Sequence, residues 1–184
     1  MKFIPQSIPD VLLIEPIVHR DERGYFVETF RQDMLDQILG YKVNFIQDNE
    51  SKSISRGILR GLHYQLPPFT QSKLVRVIKG NVLDVAVDIR RDSPTFGRHT
   101  TVELSEQNKR QLFLPRGFAH GFAVLSEGAI FSYKVDEYFS AQHNEGIAYN
   151  DKDIAIDWCL SERDIKLSIQ DENNPNLADK KKLL

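Results

Sequence analysis

The stretch from residue 73 to residue 90 constrains the fold most, because two alternating runs flank a Gly-Asn pair. The first run, KLVRVIKGN, ends at Gly80 and Asn81, a dipeptide that suits a tight turn. The second run, VLDVAVDIR, places an apolar residue at every second position, which is the period of a β-strand. We therefore predict two strands that pair with each other as a hairpin.

The second run also predicts which side of its strand is buried. Successive side chains of a strand point to opposite faces, so one face of this run is apolar and the other is charged. We predict a half-buried strand. The apolar face holds Leu83, Val85, Val87 and Ile89, and the charged face holds Asp84, Asp88 and Arg90.

Short strands and turns recur along the rest of the chain. FSYKVDEYF at 131–139 alternates again, and SPTFG at 93–97 has the residues of a turn. One helix is predicted within 31–40, where a narrow apolar stripe ends at Gly40. Many strands with one or two helices predict an all-β sandwich or barrel. A jelly roll is the version that often holds a small molecule between its sheets.

Length and composition limit the class of protein. With 184 residues, the chain is predicted to form a single domain, 1–184. Its net charge of −2 gives no reason to expect nucleic-acid binding, and its single cysteine, Cys159, excludes an intrachain disulfide. The first ten residues, MKFIPQSIPD, contain no sustained apolar run. We therefore predict no signal peptide, no membrane span and a cytoplasmic location.

The histidines do not have the spacing of a metal site. Metal-binding jelly rolls usually offer two histidines one residue apart, because a cation needs several converging ligands. Here His63 is followed by Tyr64 and Gln65, and His120 stands alone in RGFAHGF. We predict a site without bound metal, whose histidines are free to carry protons.

Seven segments carry motifs that are specific enough to identify a family. They are RGYFVETF (23–30), FIQDNESKS (45–53), RGLHYQ (60–65), KLVRVIKG (73–80), DVAVDIRRDSPTFG (84–97), LFLPRGFAHGFAVLSE (112–127) and YKVDEYFSAQHNEG (133–146). Together, and in this order, they resemble the dTDP-4-dehydrorhamnose 3,5-epimerases. The resemblance implies an all-β, cupin-type double-stranded β-helix with a few short flanking helices. It also implies a homodimer without cofactor that converts dTDP-4-dehydro-6-deoxy-D-glucose to dTDP-4-dehydro-L-rhamnose in dTDP-L-rhamnose biosynthesis.

The resemblance implies four catalytic residues, and the chemistry of epimerisation beside a ketone explains each of them. The reaction removes a proton, stabilises the enolate and returns a proton to the opposite face. His63 is implied to be the general base, and Lys73 to stabilise the enolate oxygen. Tyr133 is implied to donate the proton. Asp171 is implied to fix the imidazole tautomer and stabilise its protonated form.

Two aspartates near the C-terminus match the motif of the base's partner, since each follows a Leu-Ser pair. Asp164 ends LSERD, and Asp171 ends LSIQD. The distance from Trp158 to Asp171 fits the family, and the following ENNPNLAD resembles the family's tail, whereas Asp164 comes too early. We therefore assign the partner role to Asp171 and predict that Asp164 is a surface charge.

The substrate's diphosphate predicts an arginine-rich site, because guanidinium groups make paired hydrogen bonds to phosphate oxygens. Arg60 and His63 have opposite parity in a regular strand. Both can reach one ligand if the strand bends near Gly61 or if the ligand lies at the strand's end. Tyr138 and Phe26 are implied to stack near the thymine. The residues that match substrate-binding positions, some reaching the site from the partner subunit, are Arg23, Phe26, Glu28, Gln47, Asp48, Asn49, Arg60, His120, Tyr138 and Glu145.

Two features of the C-terminal segment lie outside this pattern. Gln170 stands where many relatives have a lysine, which removes one possible contact to the phosphates. The run from Lys180 to Lys182 is predicted to be a solvated tail.

Three other functions fit the same pattern of residues. A single-site epimerase or a 3,4-ketoisomerase acting on a related nucleotide-linked 4-keto sugar would keep the fold and the base, because product choice depends on small differences in the pocket. A non-catalytic sugar-binding cupin would keep the basic pocket, but it would not need a base, an orienting carboxylate and an acid together.

Overall fold

The computed structural model describes residues 1–184 as thirteen strands, two short α-helices and two 3-10 turns. No helix is long and apolar enough to cross a membrane. The helices are α1 (Gln32–Leu39) and α2 (Ile169–Glu172). The strands are β1 (Lys2–Pro5), β2 (Leu12–Glu15), β3 (Val18–Asp21), β4 (Gly24–Val27), β5 (Gln47–Ser53), β6 (Leu59–Gln65), β7 (Lys73–Lys79), β8 (Asn81–Asp88), β9 (His99–Ser105), β10 (Gln111–Leu114), β11 (Phe118–Val124), β12 (Ala129–Val135) and β13 (Asn144–Gly146).

Two antiparallel sheets form the body of the molecule. The six-stranded sheet has the order β1-β2-β10-β7-β12-β5, and the five-stranded sheet has the order β13-β6-β11-β8-β9. Apolar side chains from both sheets form one buried cluster between them, which includes Val75, Phe131, Ala86 and Phe122. The predicted all-β jelly roll with short flanking helices is therefore confirmed. β3 and β4 form a separate two-stranded hairpin.

The predicted hairpin between β7 and β8 is wrong. β7 pairs with β10 and β12 in the six-stranded sheet, whereas β8 pairs with β9 and β11 in the other sheet. Gly80 therefore lies in a connection between strands of two different sheets, and not in the turn between two paired strands. Gly80 has the positive φ of +83° that suits a turn, but Asn81 is the first residue of β8, and a short connection in sequence does not decide which strands pair.

The burial pattern of β8 also differs from the prediction, because both of its faces are buried. Leu83 and Val85 pack under the C-terminal segment, in a cluster that contains Trp158. The opposite face points between the two sheets, and Asp84 and Asp88 on this face are fully buried. A carboxylate in that position needs protein partners to replace water.

Asp88 obtains those partners from the turn that follows its strand. Its carboxylate accepts hydrogen bonds from Arg90 and from the hydroxyls of Ser93 and Thr95. Burial alone would raise the pKa of Asp88, but these bonds outweigh it and lower the pKa to about 2. The predicted turn at 93–97 therefore has a second role, which is to keep a buried carboxylate ionised.

The predictions for the helix and for the strand at 131–139 agree with the structure in large part. α1 ends at Gly40, which has the left-handed φ of +73° that favours glycine. β12 ends at Val135, so Glu137 and Phe139 lie beyond the strand. Phe131 belongs to the buried cluster between the sheets, and Tyr133 packs against that cluster.

The C-terminal segment, 147–184, covers the outer face of the five-stranded sheet. Ile147, Ile154, Trp158 and Leu177 are buried against the odd-numbered residues of β8. A parallel bridge between Ile58 and Lys166 then joins this segment to the start of β6. As a result, α2 lies beside β6.

Candidate active site

A cavity of about 540 Å³ lies between the two sheets and is closed on one side by the C-terminal segment. Its walls come from β6 and β11 of the five-stranded sheet and from β5, β7 and β12 of the six-stranded sheet. A larger cavity, of about 850 Å³, lies beside α1 and contains none of the predicted catalytic residues. Six predicted residues line the smaller cavity together: Arg60, His63, Lys73, His120, Tyr133 and Asp171.

His63 and Asp171 form a hydrogen-bonded pair at this cavity. His63 Nε2 lies 2.6 Å from Asp171 Oδ1. The His63 side chain is 34% exposed, whereas that of Asp171 is 5% exposed. An ionised carboxylate can only accept, so His63 carries its proton on Nε2 and keeps the lone pair on Nδ1. The imidazole is therefore arranged to take up a proton at Nδ1.

The start of α2 holds Asp171 in place. Ser168 is the N-cap of α2, and its Oγ accepts from the Asp171 backbone N–H at 3.1 Å. The same hydroxyl donates to Asp171 Oδ2 at 2.9 Å. Burial alone would raise the pKa of Asp171, but the bond to His63, the charge of that ring and the Ser168 hydroxyl together lower it. Asp171 is thus ionised and able to stabilise an imidazolium.

A bend in β6 brings Arg60 and His63 to the same cavity. Arg60 pairs with Phe122 and His63 pairs with His120, so β6 has one extra residue between these two pairs. Gly61 lies within this bulge with a φ of +114°. A Cβ there would lie 2.6 Å from the carbonyl oxygen of His120, so the close approach of the two strands requires glycine. A bend near Gly61 was one of the two predicted ways for Arg60 and His63 to reach the same ligand, and the structure contains this bend.

Lys73 begins β7 and faces the cavity from the opposite sheet. Burial lowers the pKa of its ammonium group to about 8, and the nearby charge of Asp84 partly offsets that effect. Lys73 is therefore mostly protonated at neutral pH, in surroundings where a positive charge acts strongly on a developing oxyanion.

Tyr133 lies on β12, in the wall opposite His63. Burial raises the pKa of its phenol, and the charge of Arg60 opposes this in part. The ring packs beside Phe131, with the two centroids 6.2 Å apart. The phenol consequently keeps its proton until it meets a strongly basic partner such as an enolate.

His120 and Asp84 form a second histidine–aspartate pair, which is more buried than the first. The sequence did not reveal this pair. His120 Nε2 lies 3.0 Å and 2.9 Å from the two carboxylate oxygens of Asp84. The His120 ring stacks on Phe131, with centroids 6.0 Å apart. The available signal was a carboxylate in the middle of a strand whose other face is apolar. We interpreted that carboxylate as solvent-facing, whereas it is the buried partner of His120.

The other predicted binding residues lie away from the cavity within this chain. Arg23, Phe26 and Glu28 belong to the β3–β4 hairpin and the residue after it, and all three are exposed. Arg23 forms an ion pair with Asp21. Their contact with substrate stays a prediction that requires a neighbouring subunit.

β5 presents its predicted residues on two different faces. Asn49 is the register partner of Tyr133, and Gln47 lies on the same face and donates to Asn49 Oδ1 at 2.8 Å. Asp48 points the other way and forms an ion pair with Lys134. Gln47 and Asn49 therefore extend the cavity's face along β5, whereas Asp48 does not lie on that face.

Tyr138 and Glu145 lie at the far end of β6. Tyr138 is 59% exposed, and its carbonyl oxygen accepts from Gln65. Glu145 forms a close ion pair with Lys180, whose side chain is 9% exposed. The prediction that this lysine belongs to a solvated tail is wrong, because Glu145 and the ring of Tyr64 bind its amine.

No group of three or more His, Cys, Asp or Glu side chains converges as a metal site would require. The two histidines of the cavity are each hydrogen-bonded to an aspartate. The absence of metal and cofactor from the reaction stays a prediction.

Comparison with known proteins decides the family. The model of the dTDP-4-dehydrorhamnose 3,5-epimerase family matches residues 5–179. The chain belongs to this family. It is therefore an isomerase of dTDP-rhamnose biosynthesis, as the motifs predicted. Among curated 3,5-epimerases, that of Shigella flexneri is 54% identical over 170 residues, which are 90% of this chain and 93% of the relative.

Solved structures of related epimerases have the same fold. The Legionella pneumophila 3,5-epimerase, crystallised with dTDP-4-keto-L-rhamnose, has a TM-score of 0.92 and 47% identity over 97% of this chain and 93% of that one. ChmJ of Streptomyces bikiniensis, a 3'-monoepimerase crystallised with dTDP-quinovose, has a TM-score of 0.87 and 35% identity over 95% of this chain and 87% of that one. The epimerase fold thus occurs in enzymes that differ in how many carbons they invert.

Proposed function

We propose that His63 and Tyr133 carry out epimerisation at C3 and C5 of dTDP-4-dehydro-6-deoxy-D-glucose, giving dTDP-4-dehydro-L-rhamnose. The observation that carries this assignment is the position of the two residues on opposite walls of one cavity. His63 is on β6 of the five-stranded sheet, and Tyr133 is on β12 of the six-stranded sheet. A sugar between them has a base on one side of its ring and an acid on the other.

The first step removes a proton from a carbon beside the C4 ketone. His63 Nδ1 takes that proton, and Asp171 stabilises the resulting imidazolium through its 2.6 Å bond to Nε2. The electron pair of the broken C–H bond moves into an enolate with its negative charge on the C4 oxygen. Lys73 stabilises this charge as an ammonium ion.

The second step returns a proton to the same carbon from the opposite face. Tyr133 donates its phenolic proton to the enolate carbon, and the configuration at that carbon is inverted. The tyrosinate then regains a proton from water, and the imidazolium of His63 releases its own. The enzyme is restored, and the second carbon can react in the same way, because the C4 ketone acidifies both neighbours.

His120 and Asp84 contribute to these steps without taking part in proton transfer. Asp84 is buried, and its charge raises the pKa of Lys73, which favours the protonated form of that lysine. His120 has one ring nitrogen committed to Asp84, which leaves the other for a hydroxyl of the sugar. We assign His120 to substrate binding and Asp84 to holding it.

The active unit is proposed to be a homodimer in the cytoplasm, with each chain forming a single domain over 1–184. Phe26 is 70% exposed and Tyr25 is 52% exposed on the β3–β4 hairpin. The two strands of this hairpin pair only with each other. Exposed aromatic residues on a projecting hairpin are suited to burial against a second subunit. Arg23 and Phe26 would then reach the partner's cavity.

A second candidate function is epimerisation at one carbon only. It is supported by the similarity of this chain to ChmJ, a 3'-monoepimerase, with a TM-score of 0.87 and 35% identity. The two reactions use the same base and the same acid, so they differ in product and not in the identity of the dyad.

Product analysis tests the proposed function. The protein is incubated with dTDP-4-dehydro-6-deoxy-D-glucose and a 4-keto-sugar reductase, with and without a chelator, and the reduced sugars are separated. Formation of dTDP-L-rhamnose at an undiminished rate in chelator is expected. A product inverted at one carbon would support the second candidate, and no inverted product would overturn both.

A further inference from the structure

Arg60 and Lys166, two of the three cations that line the cavity beside Lys73, have no carboxylate partner. Arg60 donates from Nε to Ser53 Oγ and from a terminal nitrogen to the Lys52 carbonyl, both at 3.3 Å. Lys166 donates from Nζ to Ser55 Oγ at 3.0 Å. All three acceptors are neutral, so neither cation is bonded to a carboxylate although both line the cavity. Such a pair of cations favours a ligand with more than one negative charge.

The main chain fixes the position of Lys166. Its N–H donates to the Gly57 carbonyl at 2.8 Å, and its carbonyl accepts from Leu59 N–H at 3.0 Å. These bonds form the parallel bridge to Ile58, which lies two residues before Arg60. Arg60 and Lys166 therefore lie on neighbouring segments of chain. Main-chain hydrogen bonds hold these segments together, so a change of the Lys166 side chain leaves them in place.

We propose that Lys166 binds the diphosphate of the substrate together with Arg60. This inference deepens the proposed function and depends on its assignment of a dTDP-sugar to this cavity. The C-terminal segment contributes Lys166 as its one cation to the cavity lining, where Gln170 is neutral. Lys166 thus supplies the positive charge that the segment would otherwise lack, four residues before the neutral Gln170.

The role of the charge can be separated from the role of the hydrogen bond to Ser55. Lys166→Gln removes the charge, whereas Ser55→Ala removes the bond and keeps the charge. Lys152→Gln is the matched control, because Lys152 is an exposed lysine outside the cavity. Gln170→Lys, added to Lys166→Gln, returns a positive charge to the same cavity at another position.

Calorimetric titration with dTDP and with thymidine measures the effect directly. Lys166→Gln is expected to weaken dTDP binding about tenfold, and to leave thymidine binding unchanged. Ser55→Ala and Lys152→Gln are expected to bind dTDP within about twofold of the unmodified protein. The double variant should regain most of the lost affinity. In turnover, the change should raise KM and not lower kcat.

The proposal is overturned if Lys166→Gln binds dTDP as tightly as Lys152→Gln does, or if it loses thymidine affinity by the same factor. Thermal denaturation identifies a variant that has lost its fold. If Lys166→Gln has done so, Lys166→Met, which removes the charge and keeps an unbranched side chain, supplies the comparison. Because dTDP binding needs no turnover, this result is independent of the assay for the proposed function. An unmodified protein that binds dTDP without inverting the sugar would contradict the proposed function alone.

Discussion

His63 and His120 are register partners on β6 and β11, and each is hydrogen-bonded through Nε2 to an aspartate from another part of the chain. Their exposure separates their roles. The His63 side chain is 34% exposed and that of His120 is 9% exposed, so His63 is the ring that a substrate carbon can approach. The buried pair shapes the floor of the cavity.

Replacing Asp171 should be severe, and replacing Asp164 should be mild. Asp171→Asn removes the negative charge that stabilises the His63 imidazolium, so kcat should fall by about 100- to 10,000-fold. His63→Ala should abolish proton exchange with the fold retained. Asp164→Asn is the matched control, because Asp164 is exposed in a 3-10 turn and bonds to Ser161. Steady-state kinetics of the three variants measures kcat. A large fall of kcat in Asp164→Asn would contradict the assignment of Asp171 as the partner of His63.

Activity should decline as the pH rises through about 8, because Lys73 then loses its proton. The pKa of this lysine is lowered by burial, so the charged form that stabilises the enolate is present below that pH. Above it, kcat/KM should fall about tenfold per pH unit. In Asp84→Asn the decline should begin at lower pH, since Asp84 raises the pKa of Lys73. In Lys73→Arg the decline of activity with rising pH should disappear, because the guanidinium stays protonated. A profile that is flat to pH 10 in the unmodified protein would exclude this role.

Mixing two inactive variants should restore activity if the hairpin of one subunit completes the site of the other. Arg23→Ala damages the contribution of the hairpin, and His63→Ala damages the cavity. In a mixed dimer one site carries both defects and the other carries neither, so random pairing should restore about one quarter of full activity. Sedimentation equilibrium should show a dimer. A monomer with full activity, or mixed dimers without recovery, would remove Arg23 from the site.

Tyr133→Phe should separate proton removal from inversion. His63 and Asp171 remain intact in this variant, so the substrate proton should still exchange with solvent. Inversion at the carbon that the phenol serves should slow by about 100-fold or more, because the acid on the opposite wall is missing. Proton NMR follows both processes in one sample. Equal slowing of exchange and inversion would assign the donor role to another group.

The sequence predicted the strands better than their partners or their buried faces. The alternation of 82–90 is a strand signal, and it cannot distinguish a solvated carboxylate from a buried one that has partners. Asp84 and Asp88 are of the second kind, with His120 and Arg90 as partners. Those partners come from separate strands or turns, which a local pattern does not connect.

The candidate site could be predicted from motifs, but its supporting contacts could not. Six predicted residues meet in one cavity because two sheets and α2 bring distant segments together. Lys166 and Asp84 have no distinguishing local pattern, and their relevance follows from what they face in the folded chain. The hairpin residues Arg23 and Phe26 do not line the candidate site of their own chain, so their assignment depends on a second subunit.

Deuterium incorporation during turnover shows whether proton removal and return occur at one carbon of the sugar or at two. The protein is incubated with dTDP-4-dehydro-6-deoxy-D-glucose in deuterated water until conversion is complete, and the sugar is analysed by NMR. We expect deuterium at both C3 and C5, because His63 removes both protons and each returning proton comes from a group that exchanges with solvent. Inversion of both carbons with retention of the original hydrogen at either one would contradict the two-wall mechanism. Deuterium at a single carbon after complete turnover would instead identify a single-site epimerase.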